Sequence, residues 1–315
     1  MTEITLRDIP KIKNCLKMLS TLFHEIKFYF HEAGLSISSY SNTEVIYSSL
    51  FLRPDQYSND YIFTEPCCFS VITSQVFTIF KRIAAKNVIV RLVPNMSLNF
   101  LEISSINENN ISEKSTLVTK YNISFSTACD AKYSNLYIDD EKYETKFKLG
   151  TNIFSNAVQA LMKSETITFK IFEKKIELVS ISGMTNSVSV IHKDTTITED
   201  GVLIFSQQNN ETPLIEAKFK KSFIDNIIDK GNISTDLILK IKENFPLTLI
   251  YPLKHGEFSF IIAPMNNDFE NNNITTNSSS LPAPPPLPDI MLEEDVREQE
   301  QKQRKRKKRR KTTIK

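Results

Sequence analysis

Glycine is scarce: six occur in 315 residues, at Gly34, Gly150, Gly183, Gly201, Gly231 and Gly256. No two stand close enough to form a phosphate-cradling loop, so neither a P-loop nor a dinucleotide-binding fingerprint is present. Nucleotide-driven motors and Rossmann oxidoreductases are thereby excluded. Tryptophan is absent, and the four histidines, His24, His31, His192 and His255, share no metal-ligand spacing with another His, Cys or Asp. The four cysteines, Cys15, Cys67, Cys68 and Cys129, also lack zinc-ligand spacing. The adjacent pair Cys67 and Cys68 reads as buried strand packing in a reducing compartment. No G-x-S-x-G, H-E-x-x-H or C-x-x-C motif occurs, and the acidic cluster Asp139, Asp140 and Glu141 reads as a solvated loop. No apolar run approaches the ~18 residues of a membrane-crossing helix, and the N-terminal residues lack a basic-then-apolar leader. What is missing leaves no catalytic constellation, no cofactor and no metal site, and points to an intracellular protein that is not an enzyme.

What is present is a normal globular balance, 40% hydrophobic and 24% charged, enough to bury a core. The net charge of +2 is misleading. Arg304, Lys305, Arg306, Lys307, Lys308, Arg309, Arg310 and Lys311 form one uninterrupted basic run; without these eight, 31 Lys and Arg face 37 Asp and Glu, a net of −6. Nucleic-acid binding by the folded part must therefore rest on local placement of cations. Composition shifts near residue 266 to NNDFENNNITTNSSS, LPAPPPLP, acidic LEEDVREQEQ and the basic run. Such sequence buries too little apolar surface to offset chain entropy, which predicts a disordered tail over 267–315. The basic run reads as a nuclear-import signal, or as a non-specific nucleic-acid or membrane contact.

Within 1–266 one pattern occurs twice. Ile12, Leu16, Leu19, Phe23 and Ile26 step by four and three, one face of a helix, and alternating strands follow. A second helix is expected over 74–84, then two more strands. The pattern restarts at TKFKLG with a helix over 152–163 that buries Phe154, Val158 and Leu161. Strands follow, then a helix of Phe223, Ile224, Ile227 and Ile228 ended by Gly231, and three closing strands. Residues 1–105 and 144–266 are thus expected as two like domains, with 106–143 a connector containing an edge strand. Each helix presents a basic or neutral polar face: Lys13 and Lys17 on the first; Lys81, Arg82 and Lys86 around the second; Asn156, Gln159 and Lys163 on the third; Lys220, Lys221 and Lys230 around the fourth. Cations without interleaved aromatics suit phosphate contact better than base readout.

Several segments resemble the proliferating cell nuclear antigen (PCNA) family of DNA sliding clamps. They are IKNCLKMLSTLFHE and LSISSYSNTEVIYSSLFLR near the start, ETKFKLGTNIFSNAVQALMKS at the second restart, and FPLTLIYPLKHGEFSFIIAP at the close. The likeness extends over about residues 4–266. It implies an α+β fold of two tandem clamp domains, each helix–strands–helix–strands, with the helices on one face of antiparallel sheets. It implies a head-to-tail ring, in the family usually a homotrimer, that encircles duplex DNA without sequence preference. The ring would be set on DNA by a clamp loader and would tether a DNA polymerase and other replication and repair proteins in the nucleus or at a viral replication site. Carried over, Lys13, Lys17, Lys81, Arg82, Lys86, Lys163, Lys220, Lys221 and Lys230 would touch DNA phosphates. Ser20, Asn156 and Gln159 stand where the family has cations. A pocket for short peptide motifs would be lined by Tyr40, Val45, Tyr47, Leu136, Ile138, Pro246, Ala263 and Pro264. The ring contact would join 117–125 to 186–192. A heteromeric checkpoint clamp, or a clamp-fold viral accessory protein that does not encircle DNA, stands as the alternative.

Overall fold

A computed structural model describes residues 2–41, 45–54, 61–83, 88–107, 117–128, 142–143, 145–173, 175–192, 196–197, 203–204, 212–229 and 232–265. The first half runs β1 (Glu3–Leu6), α1 (Ile9–Leu22), β2 (Glu25–His31), β3 (Gly34–Tyr40), β4 (Ile46–Leu52), β5 (Tyr61–Ile62), β6 (Cys67–Ile72), α2 (Thr73–Arg82), β7 (Val88–Asn95), β8 (Phe100–Asn107) and β9 (Val118–Ser124). The second runs β10 (Thr145–Gly150), α3 (Thr151–Gln159), β11 (Thr166–Ile171), β12 (Lys175–Ser182), β13 (Thr185–His192), β14 (Thr196–Ile197), β15 (Leu203–Ile204), β16 (Ile215–Lys220), α4 (Lys221–Ile227), β17 (Asp236–Ile241), β18 (Leu247–Leu253) and β19 (Gly256–Ile262).

Strand order exposes the duplication. The first half builds β1-β7-β8-β9 and β6-β2-β3-β4; the second builds β10-β17-β18-β19 and β16-β11-β12-β13, all antiparallel. Eight strands of one half thus have counterparts in the other, leaving outside the match β5, which pairs with β1, and the β14–β15 pair. The match reaches single hydrogen bonds: Thr73 N–H, at the start of α2, donates to His24 C=O just before β2, and Lys221 N–H, at the start of α4, donates to Glu165 C=O just before β11. The halves fuse where β4 pairs with β19 over seven residues, Ile46 opposite Ile262 through Leu52 opposite Gly256, giving one eight-stranded sheet.

The strands form because β-branched and aromatic residues alternate with polar ones. In β11 and β12, Ile167, Phe169, Ile171, Ile176 and Leu178 are buried beneath the helices. The helices lie side by side in the order α2, α1, α4, α3, with α1 touching α4 across the midline of the chain. The core beneath them is continuous, running from Ile4 through Phe28, Phe80 and Phe154 to Ile262.

Three sequence expectations shift. The first helix stops at Leu22, where Phe23 turns extended (φ −129°, ψ 133°). Phe23 and Ile26 keep their burial, but Ile26 belongs to β2, because EIKFYFH carries period-two alternation that continued helix would break. The fourth helix ends with Ile228 extended (φ −70°, ψ 120°), ahead of Gly231, which lies outside the described residues. Its exit is held by Asp229, whose carboxylate accepts from Ile233 N–H at 2.8 Å and from Asn232 N–H at 3.2 Å. Finally, Cys15 and Cys67 are free thiols in the core, whereas Cys68 is disulfide-bonded, against the expectation of two inert packing residues.

Candidate functional site

The helix layer places the expected phosphate-contacting cations unequally. Lys17 is exposed on α1, and Lys81 and Arg82 are exposed in the last turn of α2, where cations also complement the helix dipole. Lys13 is half-buried, and its ammonium donates to Ile83 C=O, the C-cap of α2, at 3.1 Å. It ties the two helices together as well as lending charge. Lys163 is exposed beyond the end of α3, and exposed Lys220 lies over the Phe223 ring at 5.3 Å.

Lys221 is a correction. It is 4% exposed, and its Nζ is held by the Asp225 carboxylate at 2.7 and 2.9 Å. Burial of an ammonium demands such a partner, so its charge is spent inside the helix layer and is not offered to a phosphate. Lys86 and Lys230 lie outside the described residues. The exposed residues of α3 are Asn152, Ile153, Asn156 and Gln159, and those of α4 are Ser222, Asp225 and Asn226. Among the described residues, the exposed cations within the helices themselves therefore lie on α1 and α2, with Lys163 and Lys220 flanking α3 and α4.

On the opposite face of the eight-stranded sheet, Tyr40 stands across from Tyr47, Tyr47 from Ile261, Ile261 from Thr248, and Thr248 from Lys240. This row crosses the seam between the halves. The Tyr40 and Tyr47 rings meet at 4.7 Å, and Val45 C=O accepts from Ala263 N–H at 2.9 Å. At the far end, Tyr143 Oη lies 2.5 Å from Thr248 Oγ1, and its ring meets Phe245 edge-on at 5.2 Å, just before buried Pro246. The structure thus brings Tyr40, Val45, Tyr47 and Ala263 together beside the seam, with Pro264 next in the chain. Tyr47 is only 3% exposed and can serve as floor, not as lip. Leu136 and Ile138 lie outside the described residues, as does the run 304–311.

The remaining surface of interest is a pair of sheet edges. Among the described residues, β9 and β13 are the terminal strands of their sheets. Val188 and Val190, 49% and 43% exposed, lie on one face of β13, and Leu117, 63% exposed, precedes β9. An open edge with apolar side chains is a site for pairing with another chain.

Sequence reasoning missed a cleft at the other end of the seam. It is lined by Arg7, Asp8 and Lys11 at the start of α1, by Arg53 and Pro54 after β4, and by Lys254 and His255 in the β18–β19 turn, over a floor of Ile4, Leu6, Leu52 and Leu253. Three segments separated by up to some 250 residues contribute, so no local motif signals it. Among the described residues, no group of three or more His, Cys, Asp or Glu is placed to hold a metal ion. Among the described residues, no helix is long and apolar enough to cross a membrane.

No family model matches the chain, and no curated protein sequence matches it. Solved structures do. PCNA from Thermococcus kodakaraensis superposes with a TM-score of 0.66 at 17% identity, covering 84% of this chain and all of that one. A chain of the PCNA2–PCNA3 complex from Sulfolobus tokodaii gives 0.64 at 19% identity, covering 83% and 98%. The chain has the PCNA-like sliding-clamp fold.

Proposed function

We propose that this chain is a DNA sliding clamp, a polymerase processivity factor that closes into a ring around duplex DNA and tethers replication and repair proteins. The observation that carries the reading is the seam between the halves. β4 pairs with β19, and the duplication makes β13 the counterpart of β4 and β9 the counterpart of β19. The pairing used once inside the chain is therefore available once more between chains, β13 of one copy with β9 of the next. A head-to-tail contact of this kind repeats until it closes. The ring is a homotrimer, as the resemblance implies, with the helix layer facing the hole.

Mechanism follows from geometry and charge. Lys17, Lys81 and Arg82, together with Lys13, Lys163 and Lys220, supply weak phosphate contacts that exchange along the backbone, while encirclement supplies retention. Base-specific hydrogen bonds would pin the ring and are not required. The apolar row beside the seam, Tyr40, Val45, Ala263 and Pro264 over Tyr47, with Pro246 beyond, is the docking pocket for partner motifs. The clamp has no catalysis of its own, takes no cofactor, is set on DNA by a loader, and acts in the nucleus or at a viral replication site.

Sedimentation equilibrium of the purified chain tests the ring. Three times 36.2 kDa is expected, together with retention on closed circular DNA and loss from linearised DNA after loading. A monomer at micromolar concentration that gains no mass with other clamp subunits overturns the reading. A second reading, one subunit of a heteromeric checkpoint ring, is favoured by the tail of 267–315 and by likeness to a complex of two different clamp chains. Co-purification with two distinct partners in place of self-association would select it. Retention that is equal on circular and linear DNA would instead select a non-encircling accessory protein.

A further inference from the structure

The cleft at the other end of the seam has a cationic rim over an apolar floor. Arg7, Lys11, Arg53 and Lys254 stand on its rim against Asp8 as the one acid among the described lining residues, with His255 beside them. Lys11 and Asp8 are 3.6 Å apart, and Arg53 lies over the Phe51 ring at 5.4 Å. The rim is built on rigid parts, since Arg53 N–H donates to His255 C=O at 2.8 Å and β4 and β19 are paired up to that point. The floor, Ile4, Leu6, Ile12, Leu52 and Leu253, is apolar beyond what a simple anion needs. A ligand for this cleft carries several negative charges next to aliphatic side chains.

The chain itself contains such a ligand. Residues 289–300 read DIMLEEDVREQE: six carboxylates against Arg297, five of them following Ile290, Met291 and Leu292. We propose that this acidic segment docks in the cleft, with Ile290, Met291 and Leu292 on the floor and Glu293, Glu294 and Asp295 against Lys11, Arg53 and Lys254. Tether length permits it. The described chain ends at Met265, whose N–H donates to Lys218 C=O, just past β19. The cleft adjoins the start of that strand, about 30 Å away at ~3.3 Å per residue. The two dozen residues between Met265 and Ile290 can reach at most about 80 Å, so the span lies within the length of the chain. A tether that can span the distance makes docking intramolecular, and modest contacts then suffice to hold the segment. The inference stands independently of ring closure.

Carbodiimide coupling of the full-length chain, read by peptide mass spectrometry, tests it. Amide links from Glu293, Glu294 or Asp295 to Lys11 or Lys254 are expected, with yield falling on the order of tenfold between 50 mM and 500 mM NaCl as the ion pairs are screened. The exposed substitution Arg53→Glu, which leaves both reactive amines in place, should lower the yield at Lys254 at least fivefold without shifting the melting temperature. Isotopically mixed chains should give links within one chain. Links confined to Lys305, Lys307, Lys308 and Lys311, links spread evenly over surface lysines, or links only between chains would each overturn the proposal. So would absent coupling combined with protection of Lys11 and Lys254 from acetylation by a 30-base-pair duplex, which would make the cleft a nucleic-acid surface.

Discussion

Gly256 sits where the halves are fused, and replacing it with alanine should weaken the fold far more than its position at a strand end suggests. Its φ is +148°, and a Cβ built there would lie 1.9 Å from Phe51 O and 2.9 Å from Phe51 C. Both are backbone atoms of the paired strand β4, so no rotamer change relieves the overlap. Relief requires β19 to move away from β4 at the Leu52–Gly256 end of the ladder. That costs one or two backbone hydrogen bonds at about 1 kcal/mol each, plus strain of about 1–3 kcal/mol for an alanine in this region of φ. A total of about 3 kcal/mol lowers the melting temperature by roughly 6–12 °C in a fold of this size. Gly183 is the matched control: its φ is +59°, but nothing lies within 4 Å of a Cβ there. Gly183→Ala should cost only about 1 kcal/mol and roughly 2–4 °C. Thermal unfolding of the two full-length variants decides. Shifts that agree within 2 °C would refute the close-approach argument and the tightness it assigns to the seam.

Val188→Pro removes a backbone donor from the outward side of β13, since Val188 pairs with Val179 at a position that is not hydrogen-bonded to β12, and should convert the ring to monomers in sedimentation while leaving the circular dichroism spectrum unchanged; a persisting trimer would reassign the contact. Lys17→Glu with Lys81→Glu should impair loading or DNA-stimulated polymerase activity with the oligomeric mass intact, and unchanged activity would remove these helices from the DNA path. Lys221→Ala should do the reverse, costing about 1–2 kcal/mol of stability by loss of its pair and packing, with DNA retention unaffected. Deleting 304–315 should abolish nuclear entry of a fluorescent fusion without changing ring mass, and normal entry would dismiss the import role.

Repetition was the most legible property of the sequence. Alternating strands such as KIELVSIS and the spacing of Phe154 and Val158 announced their elements, because burial of one face leaves a period in the residues. Boundaries were less legible. Ile26 kept the helical spacing of α1 although it faces the same core from β2, since burial alone does not say which element supplies a side chain. The short β1, four residues long, carried too little alternation to register. Charge was the hardest to read. Lys221 looked like its neighbour Lys220, and only Asp225 four residues on, a spacing that pairs side chains on a helix, hinted that its ammonium was committed. Lys13 gave no local sign that it reaches the end of α2. The cleft around Arg53 and Lys254 was invisible for a different reason: it exists only once β4 and β19 have paired.

The uneven charge of the helix layer has a consequence for how the proposed ring would hold DNA. Each subunit offers Lys17, Lys81 and Arg82 from α1 and α2, while α3 and α4 offer Asn152, Asn156, Gln159, Ser222 and Asn226. Uniformly basic helices would hold phosphates all around the hole, whereas among the described residues the cations gather on α1 and α2, with only Lys163 and Lys220 at the ends of α3 and α4. Fewer phosphates neutralised means a shallower dependence of affinity on salt, since the slope follows the number of counterions released. Replacing Asn156 and Gln159 with lysine adds two cations per subunit to α3. With a ring held chiefly by topology, that double substitution should steepen the salt dependence of DNA affinity and slow diffusion along the duplex, while the lifetime on closed circular DNA stays the same. A lifetime on circles that rises in parallel with the added charge would mean that contact energy, and not encirclement, retains the protein.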